Sequence, residues 1–368
     1  MKTATKPFRC FRVLIVAAAL SLSAAAQDPT SQIKAEIARL QKSVKSQPIS
    51  DPSFKELNST IEEGLKSATS ALDSGNLYLS LELLGRAEDL LQGARRTDNN
   101  AEVKKNGLPA FESEWGKVSL RLTALDREAH DWSNAPLAVR AIAETAQRRA
   151  IPLLDGGRGF ATATGPQDGL FYLGEAEGEA DFANFCTSLK FVPQKFEGAT
   201  PLRSILPELQ ALQRKANAAF QPPKSIDLHS RFISLNSTIK LAEELDSSKL
   251  YAGALYTYLE ATRHYGMLDA VPLSEAQQKE VKQAIAEERK KLASSTRDDS
   301  IAQAYVERAE SYTAHADGSA PSADEWRSAR LILDQVLPAY YSALKPAAPL
   351  QQVAGKTVDI TLVRWPYT

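Results

Sequence analysis

Glu175 and Glu179 stand one helical turn apart, the spacing that puts two carboxylates on one helix face. Such a pair can divide the work of proton donor and proton acceptor. Glu177 and Asp181 extend the acidic run, and Ala176, Gly178 and Ala180 alternate with it. Small residues let a neighbouring helix approach closely. The run therefore reads first as a solvated charged face behind a tight packing seam, and second as an acid–base pair.

Just upstream, Gly156-Gly-Arg-Gly159 could offer backbone N–H groups and the Arg158 cation to an anion. Its spacing fits neither the phosphate-binding loop nor the dinucleotide fingerprint, and no strand pattern precedes it. Residues 155–169 are accordingly expected to be a flexible connection between helices. His130, His229, His264 and His315 are scattered, with none at the spacing that zinc requires. Cys186, between Phe185 and Leu189, reads as a buried, inert thiol. No Gly-x-Ser-x-Gly nucleophile turn occurs. Asn58-Ser-Thr60 and Asn236-Ser-Thr238 have the form of glycosylation sequons. They read more simply as matching buried or seam-lining asparagines, each hydrogen-bonded across a helical hairpin. The residues nominated for binding are Arg158, Glu175 and Glu179, with Trp365 as an anchor in the tail. No catalytic residue, metal or cofactor is implied.

These side chains must be carried by helices. Residues 1–26 come first and stand apart: Lys2, Lys6, Arg9 and Arg12 precede an apolar run from Val13 that ends in Ala24-Ala25-Ala26. That is the pattern of a secretory signal with a small-residue cleavage site, too short to cross a bilayer as a helix. Its removal takes away four positive charges and no acid, so the net charge falls from −1 to −5. A mildly acidic chain argues against nucleic-acid binding, which needs a basic face. The expected destination is the periplasm or the cell exterior, with no transmembrane segment left after cleavage.

Beyond residue 26, apolar residues recur at helical spacing. Twelve helices are expected: near 31–47 and 52–73, a third to about Gly93, near 109–128, 135–151 and 168–190, a seventh opened by Thr200-Pro201, a hairpin pair over about 226–267, one near 274–294, one to about His315, and a last near 323–344. Asn134 is expected to cap the fifth, the pair Ser274 and Gln277 to form a capping box, Asp299 or Ser300 to cap the eleventh, and Ser322 to start the last. The polar stretch 95–106 is expected to be a mobile loop.

Words recur. Leu57-Asn-Ser-Thr-Ile61 returns as Leu235-Asn-Ser-Thr-Ile239, and Leu72-Asp-Ser-Gly-Asn-Leu-Tyr78 as Leu245-Asp-Ser-Ser-Lys-Leu-Tyr251. Ala141-Ile-Ala-Glu-Thr-Ala146 matches Ala304-Tyr-Val-Glu-Arg-Ala309. The expected organisation is a signal peptide (1–26), two similar six-helix halves (27–195 and 196–345) and an extended tail (346–368). Leu77 and Leu250 are expected to be core residues at the two hairpin tips. Lys356 to Trp365 alternates Val358, Ile360 and Leu362 with polar residues, a strand pattern. That tail could lie on the helices, pair within the chain, or add to a sheet of another protein.

The segment Ala71 to Ala87, with Gly75, Leu77, Ser80, Leu84 and Ala87, resembles the second half of a tetratricopeptide repeat. The resemblance covers about 40 residues and lacks that family's 34-residue period. It implies helical hairpins stacked for partner binding. Taken together, the fold expected is all-α, stacked antiparallel hairpins in a bundle or short solenoid. The expected function is an exported, non-catalytic scaffold for a protein, peptide or envelope component; the alternative is a helical enzyme acting on a secreted or cell-envelope substrate.

Overall fold

The computed structural model describes residues 28–125, 130–192, 196, 200–223, 225–315 and 318–345. The signal segment and the tail with Trp365 lie outside the described residues. Among the described residues there are α-helices and short 3-10 turns but no strand. No helix there is long and apolar enough to cross a membrane.

The chain forms α1 (Pro29–Ser46), α2 (Lys55–Asp73), α3 (Leu77–Asn99), α4 (Ala101–Asn106), α5 (Leu108–Leu125), α6 (Leu137–Ala163) and α7 (Pro166–Ser188). It continues as α8 (Leu206–Ala219), α9 (His229–Ser247), α10 (Tyr251–Gly266), α11 (Glu275–Ala293) and α12 (Ser300–Thr313). The last helix is α13 (Ala323–Leu331), joined through a π turn (Ile332–Val336) to α14 (Leu337–Ala343). Each of the twelve expected helices is present, and α4 is additional. Sequential helices pack as hairpins: α2 on α3, α6 on α7, α9 on α10, α12 on α13. One hydrophobic core runs through all of them from Ile33 to Leu344. A smaller one gathers Phe111, Val118, Leu122, Leu154 and Leu170 between α5, α6 and α7.

The hairpin turns fix the relation between the two hairpins. In the first, Gly75 has φ +79° and the Asn76 N–H reaches the Ala71 carbonyl; in the second, Lys249 has φ +62° and Leu250 reaches Leu245. Each is the left-handed helix stop that glycine adopts most readily. The shift between them is 174 residues. At that same shift the buried positions of α2 (Ile61, Leu65, Ala68, Ala71, Leu72) become those of α9 (Leu235, Ile239, Ala242, Leu245, Asp246). The Leu-Asn-Ser-Thr-Ile words differ by 178 residues, so they lie one helical turn out of register. Asn58 is half-buried and Asn236 is exposed, accepting a bond from Gln213 Nε2 at 3.0 Å. The two asparagines are thus not equivalent, which corrects the reading of them as matching buried or seam-lining residues bonded across their hairpins. Leu77 and Leu250 are half-buried at the edge of the core.

Two stretches expected to be irregular are helical. Residues 95–106 complete α3 and form α4, started by Asn100, whose Oδ1 accepts the Val103 N–H at 2.9 Å. Residues 155–163 continue α6 past Pro152, and α7 begins three residues later at Pro166. The glycines are there for close approach. A Cβ on Gly157 would lie 3.0 Å from the Gly169 carbonyl of α7. One on Gly174 would overlap the Gln92 carbonyl of α3 and lie 2.6 Å from Gly93 Cα. The helix propensity lost at each glycine, about 1 kcal/mol, is offset by packing that a larger residue would forbid. Asn134 does not cap α6. The first N–H groups there, of Leu137 and Ala138, go to Asp298 Oδ2 at 2.8 Å and Ser300 Oγ at 2.9 Å. The capping boxes at Ser274–Gln277 and Ser322–Glu325 are present.

Candidate functional site

A groove of about 1760 Å³ opens between the α2–α3 hairpin and the α9–α10 hairpin, closed at its sides by α6, α11, α12 and the start of α13. Its centre is Arg308. This residue follows Glu307 on α12, so one helix points Glu307 toward α3 and Arg308 into the groove.

The Arg308 guanidinium bridges both hairpins. Nη2 donates to Glu82 Oε2 of α3 at 2.7 Å, and Nη1 to Glu260 Oε2 of α10 at 2.6 Å. Nη2 also reaches the Tyr256 hydroxyl at 2.7 Å, and that hydroxyl donates to Glu82 Oε1. The guanidinium lies 5.0 Å from the centre of the Tyr305 ring, a cation–π contact. Glu260 is further held by Arg263 Nη2 at 2.5 Å and His264 Nε2 at 3.1 Å. Burial opposes ionisation of Glu260, but Arg308, His264 and Arg263 outweigh it and hold the carboxyl well below its usual range. Burial pushes the Tyr256 phenol up.

A second cluster stands on the α3–α7 side. Arg149 Nη2 meets Glu179 Oε1 at 2.5 Å and Asp89 Oδ2 at 3.9 Å. Asp89 and Glu179 are both buried. Burial, and then the neighbouring Glu179 charge, push Asp89 well above the usual carboxylate range. Glu175, one turn from Glu179, is pushed up to about 7 by burial and by Glu179.

The structure therefore brings Glu175 and Glu179 together, with Asp89 and Arg149. It does not give them a solvated face: Glu179 is only 3 % exposed, pressed toward α3 by the Gly174 and Gly178 crossing. Arg158 is elsewhere. Nine residues beyond Arg149 on the same helix is two and a half turns, hence the opposite face. It pairs there with Glu112 at 3.1 Å and covers the Trp115 ring at 4.6 Å. Helix continuity through Gly156–Gly159 also removes any anion-cradling loop. Among the described residues no three His, Cys, Asp or Glu side chains converge as a metal site. Burial pushes the Cys186 thiol up, so it stays protonated and unreactive.

Sequence reasoning missed Arg308, Glu82, Tyr256 and Glu260. They come from three helices far apart in the chain, and none forms a local motif. The one signal available was the repeated word around Glu144 and Glu307, which places Arg308 beside the second glutamate. Compared with protein-family models, curated proteins and solved structures, the chain matches none. The tetratricopeptide resemblance gains no support from these comparisons.

Proposed function

We propose that the protein is an exported, non-catalytic scaffold whose central groove holds a segment of another polypeptide. One observation carries this reading. At about 1760 Å³ the groove exceeds the range of about 300–1,000 Å³ typical of small-molecule sites. Its most buried charges also engage one another. Arg308 is held by Glu82 and Glu260, and Arg149 by Glu179 and Asp89, so these charges belong to the groove wall. Leu83, Leu241 and Tyr312, half-buried on the groove wall, offer apolar surface between polar groups, as a peptide side chain would require.

Selection from a displayed random peptide library tests the reading. The wild-type protein should enrich peptides that no longer bind after Ser67→Trp, a substitution at an exposed lining position that narrows the groove. No enrichment, or enriched peptides that bind the variant equally well, would overturn it. Export is checked separately by N-terminal mapping of the native protein, which should begin at Gln27.

A further inference from the structure

The charges that line the groove are not equally engaged. Glu82 and Glu260 are bound to Arg308, Glu310 to Arg289, and Glu325 to His315 at 2.8 Å and to the Ser322 cap. Asp89 is buried against Glu179 and Arg149. Glu63 alone among the lining carboxylates faces outward with no cation, touched only by the Ser59 hydroxyl at 3.4 Å.

The cations divide differently. Arg308, Arg263 and Arg149 are tied to the acids above. Lys66 on α2 and Arg86 on α3 are exposed at the groove and have no ion-pair partner among the described residues. Lys282 on α11, also exposed, rests 5.4 Å from the centre of the Trp326 ring and meets no carboxylate there. The groove thus offers three unpaired cations and one unpaired acid to whatever enters. They are set around the apolar surface of Leu83, Leu241 and Tyr312.

We propose that the occupant of the groove is an acidic polypeptide segment in which carboxylates alternate with apolar side chains. The inference rests on the peptide-binding reading above and specifies the partner's chemistry. Lys66, Arg86 and Lys282 meet the carboxylates at the rim. The leucines and Tyr312 take the apolar side chains, which an anionic polysaccharide does not carry.

Three fluorescent peptides of equal length, built from Leu, Ser and Gly with Glu, Gln or Lys at the same positions, separate the outcomes. Exposed ion pairs each change affinity by up to about fivefold. With three rim cations, the Glu peptide should therefore bind the full-length protein at least tenfold more tightly than the Gln peptide. The advantage should shrink in high salt and should vanish in the triple variant Lys66→Ala/Arg86→Ala/Lys282→Ala, whose changes lie on the surface. Equal binding of all three peptides overturns the acidic preference and leaves the groove reading intact. An advantage that survives in the triple variant places the site elsewhere and also overturns the inference. So does a uronic-acid polysaccharide that displaces the Glu peptide and binds more tightly. Failure of every peptide to bind removes the peptide-groove reading itself.

Discussion

Glu144 and Glu307 perform the same task in opposite directions. Glu144, on α6, accepts the Gly253 N–H at the start of α10 at 2.7 Å. Glu307, on α12, accepts the Tyr78 and Leu79 N–H groups at the start of α3 at 2.8 and 3.0 Å. Leu79 and Gly253 are related by the 174-residue shift of the hairpins. The neighbours match too: Arg140 Nε donates to Glu144 at 2.7 Å, and Gln303 Nε2, one turn before Glu307, donates to it at 3.1 Å. The first N–H groups of a helix have no partner within it. Here those of Tyr78, Leu79 and Gly253 are each satisfied by a buried carboxylate from the other half of the chain.

Removing either carboxylate should be felt across the molecule. Glu307→Ala orphans two buried N–H groups, at a cost of about 1–3 kcal/mol for each group left unpaired. Amide exchange should speed up at the first turn of α3 in Glu307→Ala, and at the first turn of α10 in Glu144→Ala. Loss of protection confined to the mutated helix would show that the carboxylates do not cap.

Stability should fall as the pH rises through the weakly acidic range. Burial raises Glu88, Glu175 and Glu307 from 4.5 to about 7. Between those values the folded chain keeps protons that the unfolded chain has lost, so stability is full below about 4.5 and declines toward 7. Glu260, held low in the fold, acts only at still lower pH, where its ionised form is lost. The thermal midpoint at pH 5 should exceed that at pH 7.5, and Glu88→Gln should narrow the difference. A midpoint that rises over this interval refutes the assignment.

The glycine crossings should not tolerate a methyl group. Gly178→Ala sets a Cβ 2.8 Å from Asp89 Cα, and Gly174→Ala sets one against the Gln92 carbonyl. Backbone cannot swing aside as a side chain can, and overpacking of this kind costs about 1–3 kcal/mol. Gly156→Ala, where nothing lies within 4 Å, serves as the control and should be neutral or stabilising. Chemical denaturation of the three variants decides the matter.

Arg308 should matter to folding before it matters to binding. Its loss leaves Glu82 and Glu260 facing each other across the groove with one cation fewer, and breaking such a buried pair costs about 3–5 kcal/mol. Arg308→Lys should recover only part, because an ammonium cannot span two carboxylates and a phenol in one plane. Full recovery by lysine, read from the unfolding midpoint, would show that the bridge is not made as described.

Much of the fold was legible because helical periodicity is strong and caps are local. Ser274, Gln277 and Ser322 sit where their types require. The failures have physical causes. Gly157, Gly174 and Gly178 satisfy a neighbouring helix, and a single sequence cannot distinguish that use of glycine from a turn. The Leu-Asn-Ser-Thr-Ile words matched one turn out of register because sliding a helix by four residues nearly preserves its apolar face. Only the left-handed residues Gly75 and Lys249 fix the true shift, and lysine gives no hint of that conformation. The groove was the least legible part. Glu175 and Glu179 were found because they are neighbours in sequence, whereas Arg308 meets Glu82 across 226 residues.

The crosswise caps also set an order of events. Tyr78 and Leu79 wait for a residue 229 and 228 positions downstream, so the start of α3 cannot be finished while the chain is still emerging. The cap of the first hairpin therefore depends on the far end of the chain. The two hairpins are thereby tied to each other through their first turns, and neither is fully capped until both are in place.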